Sequence, residues 1–412
     1  TGFGGTGVVS WETGSIKTAG FTAVTGTGYF CDTTGGAFTV TLPLSPSAGD
    51  VIGVADYAKT FDTDNLTLGR NGSNISGGAD DAVVNTAGIA VTLVYVDGTK
   101  GWIVTDSGNQ SDAPLPTYLA ATGGCITTCG DYKMHTFYSP SAFCVSTVGN
   151  CAGSNSVDYL VVGGGGGGGA QGGGGGAGGY RESPGTASGS YTVSPLGAAP
   201  AVALPVSVTP YTVTVGGGGP GSSTVPARGD SGSPSTFSTI TSAGGGGGSS
   251  DGYTPNRNGG NGGSGGGGGW LPGPATSNNG TGNSPPVSPA QGFDGGSGYP
   301  QCSSHGGGGG GGALAVGADG AAPKGGDGGA GGGTAINLTT MPAPSPTPSA
   351  QIGTPGPSPS VRYLAGGGAG NANPGYSGGG TGGVGGGGNG STPGTATAGT
   401  INTGGGAGSG NG

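Results

Sequence analysis

Apolar and polar residues alternate in short runs over the first third of the chain, and from residue 163 nearly pure glycine takes over. Alternation with a period of two marks half-buried strands. Val8–Trp11 and Phe21–Val24 are short extended pieces, and Tyr29–Phe30 leads into an alternating strand at Ala37–Leu42. Pro43–Asp50 is turn chemistry, Val51–Ala55 and Asn65–Leu68 are further strands, and Asn71–Gly72 signals a tight turn. Ile89–Val96, Asp97–Gly98 and Lys100–Thr105 make the clearest hairpin, since Asp-Gly favours a type I′ turn. No stretch keeps a helical period over a useful length. The pattern predicts an all-β domain over 1–111 and a Pro-containing linker at Asp112–Pro116. A second small β unit is predicted over 117–162, from Thr117–Ala121, Cys125–Thr128, Asp131–Tyr138, Phe143–Val148 and Val157–Val162.

That last strand runs straight into Gly163–Gly169, and glycine blocks recur at 172–176, 216–219, 244–248, 259–269, 306–312, 325–333, 366–370, 378–388 and 404–410. Gly/Ser chains usually stay disordered because they bury too little apolar surface. Here the blocks are almost free of Ser, and the spacers between them carry bulky residues such as Tyr211, Trp270, Phe293 and Tyr363. An ordered alternative exploits the missing Cβ. A three-residue-per-turn extended helix rises about 3.1 Å per residue and makes no internal hydrogen bonds. All-glycine helices of that kind can pack on every side and bond to several neighbours. Each bond is worth only about 1 kcal/mol net, so many helices are needed; the blocks supply about ten.

Composition sharpens the boundary. Of 112 glycines, 87 lie after residue 162, and residues 1–162 carry a net charge of −8 against −1 for the rest. An acidic chain with 7% charged residues lacks the basic patch of a nucleic-acid binder. No apolar run approaches the roughly 20 residues of a membrane helix. Thr1 is not an initiator, which leaves processing or missing sequence on the amino side, and the carboxyl end is open to the same reading.

Cysteines stand at 31, 125, 129, 144, 151 and 302. Disulfides, a zinc site and free thiols are the alternatives, and the spacings are loose for zinc. In a strand, Cys125 and Cys129 would lie about 13 Å apart, too far to bond. Any disulfides would therefore join them to Cys144 and Cys151. Gly163, Gly165 and Gly168 formally match G-x-G-x-x-G, but more glycine follows where a dinucleotide fold needs a helix. His135 and His305 are the only histidines, and no triad is set apart. Asp62, Asp64 and Asn65 lack an EF-hand spacing, and Arg228-Gly229-Asp230 arises easily in this composition. Nothing calls for a metal or a cofactor, and no catalytic residue is assigned.

The strand followed by glycine blocks resembles the polyglycine-II sandwich of receptor-binding adhesins on bacteriophage long tail fibres. Tyr159–Gly164, Gly179–Ser183 and Phe237–Ser242 are similar to glycine-rich tail-fibre proteins of marine phages and cyanophages. Gly35–Thr41, Ser47–Asp56 and Thr92–Trp102 are similar to a β module recurring in such fibres. The resemblance implies an all-β N-terminal region followed by a polyglycine-II helix sandwich, with essentially no α-helix. It implies a trimeric β module at 1–111, a β adaptor at 117–162 and a polyglycine-II tip at 163–412. Such a virion protein would work outside the cell as a homotrimer, alongside other tail or fibre proteins, without catalysis, nucleic acid or membrane insertion. Its partner would be host lipopolysaccharide, a surface glycan or an outer-membrane protein. The rivals are a structural or ice-binding glycine-helix protein and a polysaccharide depolymerase tailspike.

Receptor contact is then expected in the spacers at one end. Counting 163–179 as one helix sends 180–215, 249–258, 313–324 and 371–377 to the far end, with Tyr253 and Tyr376. A hairpin at Ala170–Gln171 sends 220–243, 270–305, 334–365 and 389–403 there instead, with Trp270, Phe293 and Tyr299. The hairpin is favoured, because the single helix would be over about 50 Å long.

Overall fold

A computed structural model describes residues 9–110, 117–129, 132–150, 154–188, 191–250, 258–270, 278–299, 306–336, 352–372, 378–391 and 395–410. The chain divides into two compact units, Thr1–Leu115 and Pro116–Gly412. Among the described residues no helix is long and apolar enough to cross a membrane.

The first unit holds β1 (Ser10–Lys17), β2 (Phe21–Thr22), β3 (Thr27–Cys31), β4 (Phe38–Thr41), β5 (Val51–Asp56), β6 (Leu66–Gly69), β7 (Ala82–Val84), β8 (Ile89–Asp97) and β9 (Gly101–Asn109). The first six alternate between two sheets. β1, β3 and β5 pair in parallel in one, and β2, β4 and β6 in the other. The chain therefore coils, laying one strand in each sheet per turn, before β7 and the β8–β9 hairpin close the sheets with antiparallel pairing. Inward residues Val40, Leu42, Ile52, Val54, Leu66, Leu68, Leu93 and Trp102 fill the space between the sheets. A Cβ on Gly28 would collide with Val9 and Trp11, so that strand passes beneath those side chains only because it is bare there.

Two features differ from the reading of the sequence. Coiling parallel strands were not anticipated, because alternation reveals a strand but not its partner. The β8–β9 hairpin forms as expected, but its turn is the three residues Gly98–Lys100 and not a two-residue type I′ turn. Asp97 pairs with Gly101, and its carboxylate accepts from the N–H of Thr99 (2.9 Å) and Lys100 (2.6 Å). Those bonds, Lys100 first, hold its carboxyl below the usual range. Gly101 sits at φ +70°, where a side chain would also strike the backbone of Asn74.

The second unit holds β10 (Ala120–Thr122), β11 (Cys125–Cys129), β12 (Tyr132–Thr136), β13 (Ser141–Thr147), β14 (Ser156–Val157), β15 (Leu160–Val162), β16 (Tyr180–Glu182), β17 (Leu204–Pro205), β18 (Pro210–Thr214), β19 (Ser235–Phe237), β20 (Ile240–Ser242), β21 (Gly332–Thr334) and β22 (Arg362–Leu364). One sheet runs β10-β13-β18-β19-β20, so the stretch read as an adaptor shares its sheet with strands from the glycine region. The 117–162 segment is part of the second unit rather than a domain of its own.

Glycine segments fill the remainder. Gly163, Gly166 and Gly169 donate to Gly179, Gly176 and Gly173, while Gly164 and Gly167 donate to Ser233 and Asp230. Carbonyls of Gly165 and Gly168 accept from Gly219 and Ser222. Bonds that return to one neighbour every third residue define a three-fold extended helix, which is polyglycine II. The block glycines just named have negative φ, so they are not there to adopt a left-handed backbone. They are there because a Cβ would have no room. On Gly164 it would fall on the carbonyl of Gly217, on Gly166 on that of Gly246, and on Gly175 on that of Gly166.

The N-terminal half of the glycine region reverses direction at Ala170–Gln171, as expected, and the reversals then continue more finely than the blocks suggest. Segments 163–169, 216–222, 244–250, 264–269, 292–299, 317–320, 365–371, 387–391 and 405–410 run one way; 173–179, 229–234, 258–262, 278–282, 306–312, 325–331, 378–383 and 395–400 run back. The single block 259–269 is two segments folded at Gly263, which lies against Gly179 and Ala243. Strict alternation gives the bundle two ends.

Candidate functional site: the two ends of the glycine bundle

One end is sealed. β15 pairs with β16 and β21 with β22 over the segment termini. Tyr180, Leu196, Ala313, Leu364 and Ala365 form an apolar cap, with Leu160, Val162, Leu314 and Ile352 packed against it. Tyr180 is fully buried, and its hydroxyl donates to Glu182 (3.0 Å). Glu182 also accepts from the Ser194 N–H (2.9 Å) and the Thr334 hydroxyl. Burial pushes the Glu182 carboxyl up, and these donors oppose the shift. Gln291 ties a further spacer into this end, its carbonyl accepting from the Tyr180 N–H and its side chain from the Ala243 N–H.

The opposite end carries loops. Ala170–Gln171 turns there, with Gln171 at φ +54°. Ser409 fixes the turn by accepting from the Gly172 N–H (3.0 Å) and donating to the Gly169 carbonyl (2.8 Å). Ser250 donates to the Ala170 carbonyl (3.1 Å). Residues 222–228, Trp270, Tyr299, Ala321–Lys324 and Ala372 lie at this end, by the directions of the segments they join. Lys324 donates to Asp327 at 2.8 Å. Burial works against ionisation of Asp327, but bonds from Lys324 and the Thr381 N–H hold its carboxyl below the usual range.

The expected site residues are therefore split. Trp270 and Tyr299 share the loop end, each half-buried. Phe293 does not join them. Its N–H donates to Gly312, next to Ala313 of the apolar cap, so it sits towards the sealed end with 38% of its surface exposed. Parity counting failed because it treated 270–305 as one spacer, whereas 278–282 and 292–299 are glycine-helix segments within it. Tyr253 and Tyr376 lie outside the described residues; the segments ending at Ser250 and Ala372 both finish at the loop end. Tyr363 belongs to the sealed end, where its hydroxyl accepts from the Ser358 N–H (3.3 Å). The serines that lock the turns were missed, though isolated Ser at block ends (Ser249-Ser250, Ser409) was the available signal.

Cys125 and Cys144 are free thiols, so no disulfide joins this pair. Cys125 pairs with Thr136 in the two-stranded β11–β12 sheet, whereas Cys144 lies in the five-stranded sheet opposite Thr122 and Pro210. The Cys129 side chain and Cys151 lie outside the described residues. His135 is a strand residue of β12 whose Nδ1–H donates to the Gly123 carbonyl (2.8 Å). In Arg228-Gly229-Asp230 the glycine is a packing position, since a Cβ there would strike the Gly167 carbonyl. Gly163, Gly165 and Gly168 belong to a polyglycine-II segment followed by another, not by an α-helix.

The glycine-rich domain family matches residues 141–412, and the chain belongs to that family. The match begins at β13, the strand that brings the preceding β segment into the glycine unit. A comparison with curated proteins gives no match.

Proposed function

We propose that this chain is the receptor-binding part of a bacteriophage tail fibre. It holds loops on a rigid glycine bundle against a lipopolysaccharide, glycan or outer-membrane protein of the host surface, and it acts without catalysis. The observation that carries this reading is the asymmetry of the bundle. One end is closed by strands and an apolar cap, and the other carries the short turns at Ala170–Gln171, 222–228 and Ala321–Lys324 together with Trp270 and Tyr299. Amphipathic rings at such an end can stack on sugars or grip protein loops. A backbone-bonded bundle behind them limits the ordering cost of binding. The phage assignment draws on the resemblance of 157–412 to tail-fibre adhesins. Exposed Val83, Val96 and Val104 on the first unit support self-association of that unit, here proposed as a homotrimer.

Fluorescently labelled protein should attach saturably to host cells, with attachment competed by one purified surface component. Joint replacement of Trp270 and Tyr299 by Ala should reduce attachment at least tenfold without loss of protease resistance, while Phe293→Ala should not. Undiminished attachment of the double variant would move the contact to another face. Clearing of a capsule by the protein would replace adhesion with depolymerase activity.

A further inference from the structure

The segment 173–179 has a complete set of neighbours. Hydrogen bonds join it to 163–169, 244–250, 264–269, 306–312, 365–371 and 405–410, and every N–H from Gly173 to Gly179 is donated. Among the described residues, its neighbour 163–169 is short of one. It is joined to 173–179, 244–250, 229–234, 216–222 and 405–410. Among the described residues, the N–H groups of Gly165 and Gly168 have no acceptor, although both residues are buried. Buried backbone amides are rarely left so.

The missing direction can be located. In a three-fold helix, successive N–H groups point 120° apart. Those of Gly163, Gly166 and Gly169 face 173–179, and those of Gly164 and Gly167 face 229–234. The third direction therefore falls between 216–222 and 405–410. A groove of about 690 Å³ lies there, lined by Gly163–Gly166, Gly216–Gly221, residues 398–402, Gly404, Gly405 and Ala407. Among the described residues no charged side chain lines it. Leu160, Val162, Val215, Phe137, Ile352 and Leu364 make its sealed-end wall apolar.

A second observation bears on the same groove. In 163–169 every Cβ would strike a neighbouring carbonyl, yet at Gly217, Gly218 and Gly221 it would meet nothing closer than 3.5 Å. On Gly221 it would lie 3.7 Å from the Gly168 nitrogen, and on Gly218 3.6 Å from the Gly165 carbonyl. These positions are bare although nothing described in the bundle requires it.

We propose that this groove is a further lattice position of the bundle that binds one glycine-rich extended segment, supplied by a separate polypeptide. Its carbonyls, three residues and about 9 Å apart, would accept from Gly165 and Gly168. Apolar residues at one end would pack on the sealed-end wall. Only a segment without Cβ atoms could lie so close to three glycine helices, and the uncharged lining suits no ionic ligand. The inference does not rest on the adhesin reading, and its failure would leave that reading untouched.

The test is residue-resolved amide hydrogen exchange on the full chain, with a heptaglycine peptide bearing a Val-Val end and a lysine tag as probe. Saturating peptide should slow exchange at Gly165 and Gly168 at least tenfold and leave the already bonded Gly164 and Gly167 unchanged. The same peptide with alanines in place of alternate glycines should have no effect. Gly218→Leu, which places a side chain in the groove, should abolish the slowing while the bundle melts as before. Unchanged exchange at Gly165 and Gly168 overturns the proposal, as does slowing that survives Gly218→Leu in a protein of normal melting temperature. Slowing that appears without peptide as protein concentration rises would make a second copy the occupant, and overturns it too.

Discussion

Placing one methyl group at two glycines tests the account of the bundle most directly. In Gly175→Ala the new Cβ lands on the carbonyl of Gly166. Gly175 is held on both sides, donating to Ala407 (2.9 Å) and accepting from Gly368 (2.9 Å), so it cannot move alone. Alanine gains about 0.4–1 kcal/mol by restricting the unfolded chain. Overpacking costs about 1–3 kcal/mol, and displacing Gly166 loosens its bond to Gly176, worth about 1 kcal/mol. The net is a loss of roughly 1–3 kcal/mol. In Gly217→Ala the methyl meets nothing within 4 Å, and φ is already negative, so only the gain remains. Trp270 is the one tryptophan of the second unit, so its fluorescence can follow urea or thermal unfolding. At about 2–4 °C per kcal/mol for a large domain, the two variants should move the melting temperature several degrees apart and in opposite directions. If Gly175→Ala stabilises the protein as Gly217→Ala does, the carbonyl contacts described for 173–179 are wrong.

Other outcomes follow from individual groups. Asp56 is fully buried and accepts from the N–H groups of Thr60, Phe61 and Gly88. Asp56→Ala orphans those donors at about 1–3 kcal/mol each, so calorimetry should show the first unit melting early and the second unchanged. Burial, with the nearby Asp56 charge, pushes the Cys31 thiol up to about 12. Alkylation at pH 8 should therefore label exposed Cys125 and spare Cys31 until the first unit unfolds, as mass mapping would show. The raised Glu182 carboxyl has a definite sign: its contribution is full below the unfolded pKa of about 4.3 and is lost as pH rises through the folded value. Stability of wild type relative to Glu182→Gln should accordingly fall as pH climbs from the unfolded value through the folded one, read by urea unfolding. A relative stability that rises instead would contradict the burial described for this group.

The strands were legible in the sequence because alternation at Ala37–Leu42 or Ile89–Val96 reports one buried face directly. Their partners were not, since β1, β3 and β5 pair across turns that leave no local trace. Polyglycine II was legible from the purity of the blocks, which only a demand for missing Cβ atoms explains. The number of segments was not. Residues such as Asp294, Asn278 and Asp230 sit within glycine segments because their side chains point outward or bond along the bundle, so composition alone hides where a segment begins. The split of Phe293 from Trp270 and Tyr299 follows from that blindness. The sealed end was half legible: Tyr159–Val162 announced a strand, but nothing local tied it to Glu182 and Thr334.

Most of the second unit is held together by peptide groups rather than by hydrocarbon, and this sets how it responds to temperature. Exposing apolar surface raises the heat capacity by about 0.45 cal/K/mol per Å², and exposing polar surface lowers it by about 0.26. Unfolding a glycine bundle uncovers mostly amide, so the two contributions come close to cancelling. Its stability should then change nearly linearly with temperature instead of along the usual dome. Cooling, which weakens oil-like cores, would leave this bundle at its strongest.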